Sequence, residues 1–200
     1  MKISKGYIAL FLLAFLELWT TSCVDAQTEG MVGVWVDERP VPWEMVAIVS
    51  VDNSYRMTLL PMNEYQQQKS FLLIKGDGYY YFENEKEAYF LYPHPEQNTL
   101  NVEHAESDLP DSFTVAYVPL KNRSLISKYL MLNDKGVRLR RDRSLLSEIL
   151  RTTEEGEVVT VLGVDKEETT IQGKTSHWTK VSDLSGKVGW IFGAFLAALP

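Results

Sequence analysis

The 200-residue chain holds 27 acidic and 20 basic residues, 45% hydrophobic residues and one cysteine, which excludes an intrachain disulfide and a disordered chain. Its net charge of −7 is unevenly spread: Val24–Asn122 has 16 acidic and 6 basic residues, a balance of −10, whereas Arg123–Pro200 has 10 and 12, a balance of +2. That split predicts two domains meeting near residues 119–134, and it argues against nucleic acid as a partner, because phosphate binding needs a basic field.

The N-terminus predicts export. Lys2 and Lys5 precede an unbroken apolar run, Tyr7–Leu16, which is short of the roughly 20 residues that span a bilayer. A basic start, a short apolar core and small residues after it describe a secretory signal. Thr20-Thr21-Ser22-Cys23 resembles a lipobox, with Ser22 fitting the pattern, Thr20 standing where Leu is usual and Glu17 unusually close. The reading adopted is a signal over residues 1–23 with Cys23 as lipidation site and membrane anchor. The alternative is cleavage after Val24-Asp25-Ala26, which releases a soluble periplasmic or secreted protein.

Residues 28–120 read as a β-rich domain. Short runs rich in Val, Tyr, Phe and Ile occur at Val32–Val36, Met45–Val51, Tyr55–Leu60, Phe71–Lys75, Tyr79–Glu83, Tyr89–Tyr92, Thr99–Glu103 and Phe113–Val118. Asp52-Asn53 and Gly76-Asp77-Gly78 supply tight turns between them. Close spacing favours an antiparallel meander, and eight short strands curl into a small barrel or a strongly bent sheet. Gly33-Val34-Trp35 resembles the Gly-x-Trp opening of lipocalin-like barrels; read by itself, Trp35 is a core residue on a first strand. In Tyr79-Tyr80-Tyr81-Phe82, alternation puts Tyr79 and Tyr81 on one side of the strand and Tyr80 and Phe82 on the other, so only one pair is available for an exposed face.

After a linker at 121–133, residues 134–198 carry a series of ordered blocks. Gly136-Val137-Arg138-Leu139-Arg140 alternates apolar and guanidinium side chains. Glu155-Gly156-Glu157-Val158-Val159-Thr160-Val161-Leu162, Trp178-Thr179-Lys180-Val181, Gly186-Lys187-Val188-Gly189-Trp190-Ile191 and Phe195-Leu196 follow. Together these blocks resemble the bacterial SH3 (SH3b) domain family. The resemblance implies a compact SH3-like barrel with Val137, Leu139, Val159, Val161, Val181, Gly189, Trp190 and Phe195 in its core and Trp190 as an anchor. It also implies a ligand among peptidoglycan stems, bridges or proteins. Two departures fall in loops flanking the ligand groove: Arg141-Asp142-Arg143-Ser144 replaces the family's Pro-Ser, and Asp165–Ser176 is longer and more polar than usual. The fold expected is therefore all-β, an antiparallel meander or small barrel followed by an SH3-like barrel.

Catalytic patterns are missing from the sequence. Cys23 is the only thiol, His94, His104 and His177 are the only histidines and form no His-x-x-x-His pair, and Gly-x-Ser-x-Gly and P-loop spacings are absent. Glu83, Glu85 and Glu87 sit in or beside a hairpin and serve solubility. No enzyme, metal site or cofactor is expected. The candidate ligand site is the basic cluster Arg138, Arg140, Arg141 and Arg143, since Arg pairs bidentately with carboxylate and phosphate. His177, Trp178 and Phe192 are expected to supply an aromatic edge beside it; a solvated strand face or a docking surface for the acidic half is the competing reading of the arginines. The expected function is a non-catalytic cell-envelope binding protein whose partner is peptidoglycan or an envelope protein. The alternative is a carrier of small apolar ligands with a lipocalin-like barrel and a structural SH3-like domain.

Overall fold

A computed structural model describes residues 30–38, 44–62, 67–106 and 113–200; the export signal and Cys23 lie outside the described residues. The first eight strands are β1 (Gly33–Asp37), β2 (Glu44–Val51), β3 (Ser54–Pro61), β4 (Lys69–Lys75), β5 (Tyr80–Glu83), β6 (Glu87–His94), β7 (Thr99–Glu106) and β8 (Phe113–Pro119). Each pairs antiparallel with the next, and β1 returns to β8 with Val36 opposite Val118, so the meander closes into a barrel. The predicted turn residues do the work asked of them: Asp52 at φ 52° and Gly78 at φ 81° supply the left-handed positions of two hairpins.

Alternation assigns one residue set to the bore. Trp35, Val46, Ile48, Met57, Phe71, Leu73, Tyr80, Leu91, Leu100 and Tyr117 pack there as one cluster. Trp35 donates its indole N–H to the Met31 carbonyl at 3.0 Å, which keeps the one polar atom of that ring satisfied inside the barrel. The Gly-x-Trp opening thus builds a packed core. On β2 the run Met45 to Val49 is buried at every position, which a strand with one wet face would not be.

The reason lies in the second domain. Strands β9 (Tyr129–Leu132), β10 (Arg138–Arg140), β11 (Ile149–Thr152), β12 (Val158–Ile171), β13 (Lys174–Ser182), β14 (Val188–Phe192) and β15 (Leu196–Ala198) form a sheet in the order β11-β10-β14-β13-β12-β9-β15. It is curled into a half-barrel, with β11 and β15 at its two edges. Two register shifts against β13, between Val161 and Gly163 and between Val164 and Glu168, bend the long strand β12. The segment read as a linker, 121–133, instead holds a 3₁₀ turn at Arg123–Ile126 and strand β9, which is gripped by β12 on one side and β15 on the other.

The domains dock. Val34, Met45, Ala47 and Leu60, pointing outward from β1–β3, pack against Ile126, Tyr129, Val158 and Leu199. Each such side chain contributes about 1.5–3 kcal/mol when fully buried. Tyr129 donates its hydroxyl to the Pro61 carbonyl at 3.1 Å, and Gln68 Nε2 donates to the Val158 carbonyl at 3.0 Å. Arg56–Glu154 (2.6 Å) and Lys135–Asp52 (2.7 Å) add ion pairs across the seam. The outer face of β1–β3 is therefore interior to the molecule.

Candidate functional site

The C-terminal sheet encloses a core of Leu132, Val137, Leu139, Val159, Val181 and Ile191. Val161 is only half-buried, because β12 bulges next to it. Trp190 also departs from expectation: it is half-buried, and Ile191 takes the core place on β14. Strand alternation leaves room for only one of these neighbours inside, and Trp190 lies opposite Arg140 on β10. The glycine beside it has a steric reason. A Cβ on Gly189 would stand 2.7 Å from the Arg140 carbonyl oxygen and 2.8 Å from the Leu139 side chain, so only glycine lets β14 approach β10.

A second apolar cluster forms the floor of a groove of about 340 Å³. Trp178, Phe192 and Ile171 are buried, and Phe195 closes one side. Trp178 and Phe192 meet edge to face at 5.8 Å between ring centroids, as do Phe192 and Phe195 at 5.9 Å. The two aromatics expected as an edge beside the arginines are thus part of the groove floor, each only 3% exposed. Gly193 seats this cluster: a Cβ there would meet the His177 carbonyl oxygen at 2.8 Å. Leu145, from the loop between β10 and β11, forms one lip, and Asp134, Lys135 and Gln172 stand on the rim.

The four arginines part company. Arg138 is exposed and lines the groove, and among the described residues it makes no ion pair. Arg140 also lines it but is 5% exposed and donates to the Ser147 carbonyl at 2.8 Å. Burial, then the adjacent Arg138, weaken the hold of Arg140 on its proton. Arg141 is bound to Glu148 at 2.6 Å and Arg143 to Asp165 at 2.7 Å, so both are neutralised within their own domain. Arg141 and Glu148 stand at the two ends of the β10–β11 loop, whereas Arg143 reaches across to β12. The predicted basic face reduces to one available guanidinium, and the ion pairs to the acidic half are Lys135–Asp52 and Arg56–Glu154 instead. His177 stands off the groove lining, with Nε2 3.7 Å from Glu168.

Lys135 and Leu145 were not singled out by sequence reasoning, and Ile171 and Gln172 only as part of the groove-flanking segment Asp165–Ser176. They come together because the β12–β13 hairpin is long and turns at Gln172-Gly173, both at positive φ (51° and 78°). That pair is the local signal for a two-residue hairpin turn. A separate polar network holds the sheet on its far side. Arg151 donates to Asp183 at 2.5 Å and to Glu157, and Asp183 also accepts from Ser185 and the Lys187 amide. Burial pushes the Asp183 carboxyl up, but the Ser185 hydroxyl, Arg151 and the Lys187 amide outweigh it and hold it below the ordinary carboxylate value.

Residues 135–197, the C-terminal third of the chain, match the family model of the bacterial SH3 domain and include every residue lining this groove except Asp134. No curated protein and no solved structure matches the chain. A bacterial SH3 domain points to a binding role.

Proposed function

We propose that the protein is an exported, non-catalytic binding protein of the bacterial cell envelope whose groove takes a peptide or peptidoglycan stem bearing a carboxylate. The reading rests on one observation: an exposed guanidinium that makes no ion pair among the described residues, Arg138, stands at the mouth of an aromatic-floored groove. The guanidinium matches a carboxylate in geometry and charge, and the floor of Trp178, Phe192 and Ile171 suits an aliphatic side chain beside it. Export, and a lipid on Cys23 that would hold the barrel near the membrane, rest on the sequence of the first 26 residues. The barrel then serves as a rigid spacer carrying the groove.

Co-sedimentation of residues 27–200 with purified sacculi tests the reading. Pelleting is expected for the parent and is expected to fall strongly for Arg138→Ser while Arg141→Ser pellets like the parent. Absence of pelleting at modest salt by a folded protein would overturn peptidoglycan as the ligand.

A further inference from the structure

The barrel is covered on one side only. Outward residues of β1–β3 meet the C-terminal sheet, whereas the outer face of β4–β6 carries an uncovered apolar and aromatic surface. Leu72 and Ile74 on β4 are 51% and 54% exposed. Register carries the surface onward: Ile74 lies opposite Tyr81, Tyr81 opposite Phe90, and Phe90 opposite Glu103. Four rings are contiguous there, Tyr79 with Tyr81 (5.8 Å), Tyr92 (5.7 Å) and Phe90 (6.1 Å), and Tyr81 with Phe90 (6.1 Å). Tyr79 is held down on Gly76, where a Cβ would lie 2.6 Å from its ring. Tyr80 and Phe82, the other half of the aromatic run, point into the bore.

The charges around the rings of this face have one sign, while Leu72 at its β3 border stands opposite Arg56, which is paired with Glu154 of the C-terminal domain. Glu83 and Glu103 share its outward register, and the Tyr92 hydroxyl donates toward Glu103 at 3.5 Å. Lys69 and Lys75, the lysines of β4, fall in the inward register opposite Leu59 and Tyr80, at the barrel rims. A flat array of tyrosines bordered by carboxylates, on a half-chain with a balance of −10, repels anionic lipid and phosphate and attracts cations. Ammonium and guanidinium groups stack on aromatic faces, and aromatic rings anchor protein interfaces.

We infer that the outer face of β4–β6 is a second binding surface, and that its partner is a basic polypeptide segment with apolar residues interspersed among lysines or arginines. Its cations lie on Tyr79, Tyr81 and Tyr92 and against Glu83 and Glu103, while its apolar side chains rest on Leu72 and Ile74. The rings of this surface belong to the barrel and line no part of the groove, which gives the protein a second place to bind.

The experiment is fluorescence anisotropy of a labelled peptide of alternating lysine and leucine against the full chain, with an alternating glutamate and leucine peptide beside it. Binding of the basic peptide alone is expected. Tyr81→Ser/Phe90→Ser should weaken it at least about tenfold, and Glu83→Gln/Glu103→Gln several-fold. Glu167→Gln/Glu168→Gln, which removes the same charge far away on the C-terminal hairpin, should leave it unchanged. The carboxylate pair keeps the test decisive if the aromatic variant melts early. Equal loss in both Gln pairs would reduce the effect to net charge and overturn the proposal. So would displacement of the peptide by neutral chitin oligosaccharides or zwitterionic vesicles, which would make the face a glycan or membrane surface.

Discussion

Gly156 of the C-terminal domain lies directly on Val51 of the barrel: a Cβ on Gly156 would stand 2.5 Å from Val51 Cγ2 and 2.9 Å from Val49 Cγ2. Its backbone sits at φ 70°, so shape and conformation both demand glycine. Gly156→Ala is expected to lower stability by about 2 kcal/mol through overpacking and strain. Val51→Ala in the same chain should recover part of that loss. Urea unfolding of the two single variants and the double variant gives the coupling; strict additivity would show that the seam is looser than the contact implies.

Tyr129 joins the domains twice, by its ring in the seam cluster and by its hydroxyl to Pro61. Tyr129→Ala should cost about 3–5 kcal/mol, and Tyr129→Phe about 1 kcal/mol. Thermal melts of the pair check this. A phenylalanine variant as damaged as the alanine variant would place the whole effect in the hydrogen bond.

Asp183 sets an acid limit. Its carboxyl is held below the ordinary value in the folded state, chiefly by Ser185 and Arg151 against the opposing effect of burial. The unfolded chain therefore binds this proton more readily than the folded one. Its contribution to stability is complete above the unfolded carboxylate value of about 3.9 and is lost as pH falls through the depressed folded value. Asp183→Asn is expected to lose about 1.5–3 kcal/mol at neutral pH, since it removes one of the two carboxylates that pair with Arg151 and leaves only Glu157. Its stability should then change less with pH below about 4 than that of the parent. Urea melts at stepped pH check this, and an unchanged acid slope would remove Asp183 from the account.

Of the four arginines of the cluster, Arg138 is the one open to a ligand; Arg141 and Arg143 are committed to Glu148 and Asp165. A titration with a soluble carboxylate-bearing stem peptide is expected to weaken about tenfold for Arg138→Ser. It should shift less than twofold for Arg143→Ser. Equal losses would return the site to a diffuse basic face.

The eight barrel strands were legible because apolar and polar residues alternate and glycine and aspartate mark the turns, as at Asp52 and Gly78. The C-terminal blocks were legible because Gly189 answers to local crowding that only glycine resolves. What escaped was set by pairing between distant segments. Strand β9 looks like linker until β12 and β15 flank it. Alternation placed Arg138 and Arg140 on one face, but it does not say which of them the Ser147 carbonyl draws inward. Nor does it say that Trp178 and Phe192 line a groove instead of edging it.

Strand β15 has a consequence for the order of events as the chain is made. The barrel can close once β8 exists, but Val34, Met45, Ala47 and Leu60 stay bare until Ile126, Tyr129 and Val158 follow, and the last of the cover comes with Leu199, where Arg123 donates to the carbonyls of Leu199 and Pro200. For that interval the nascent protein is a finished barrel with a sticky flank. A product cut after Ala198 would lack that last piece and would keep part of the flank open.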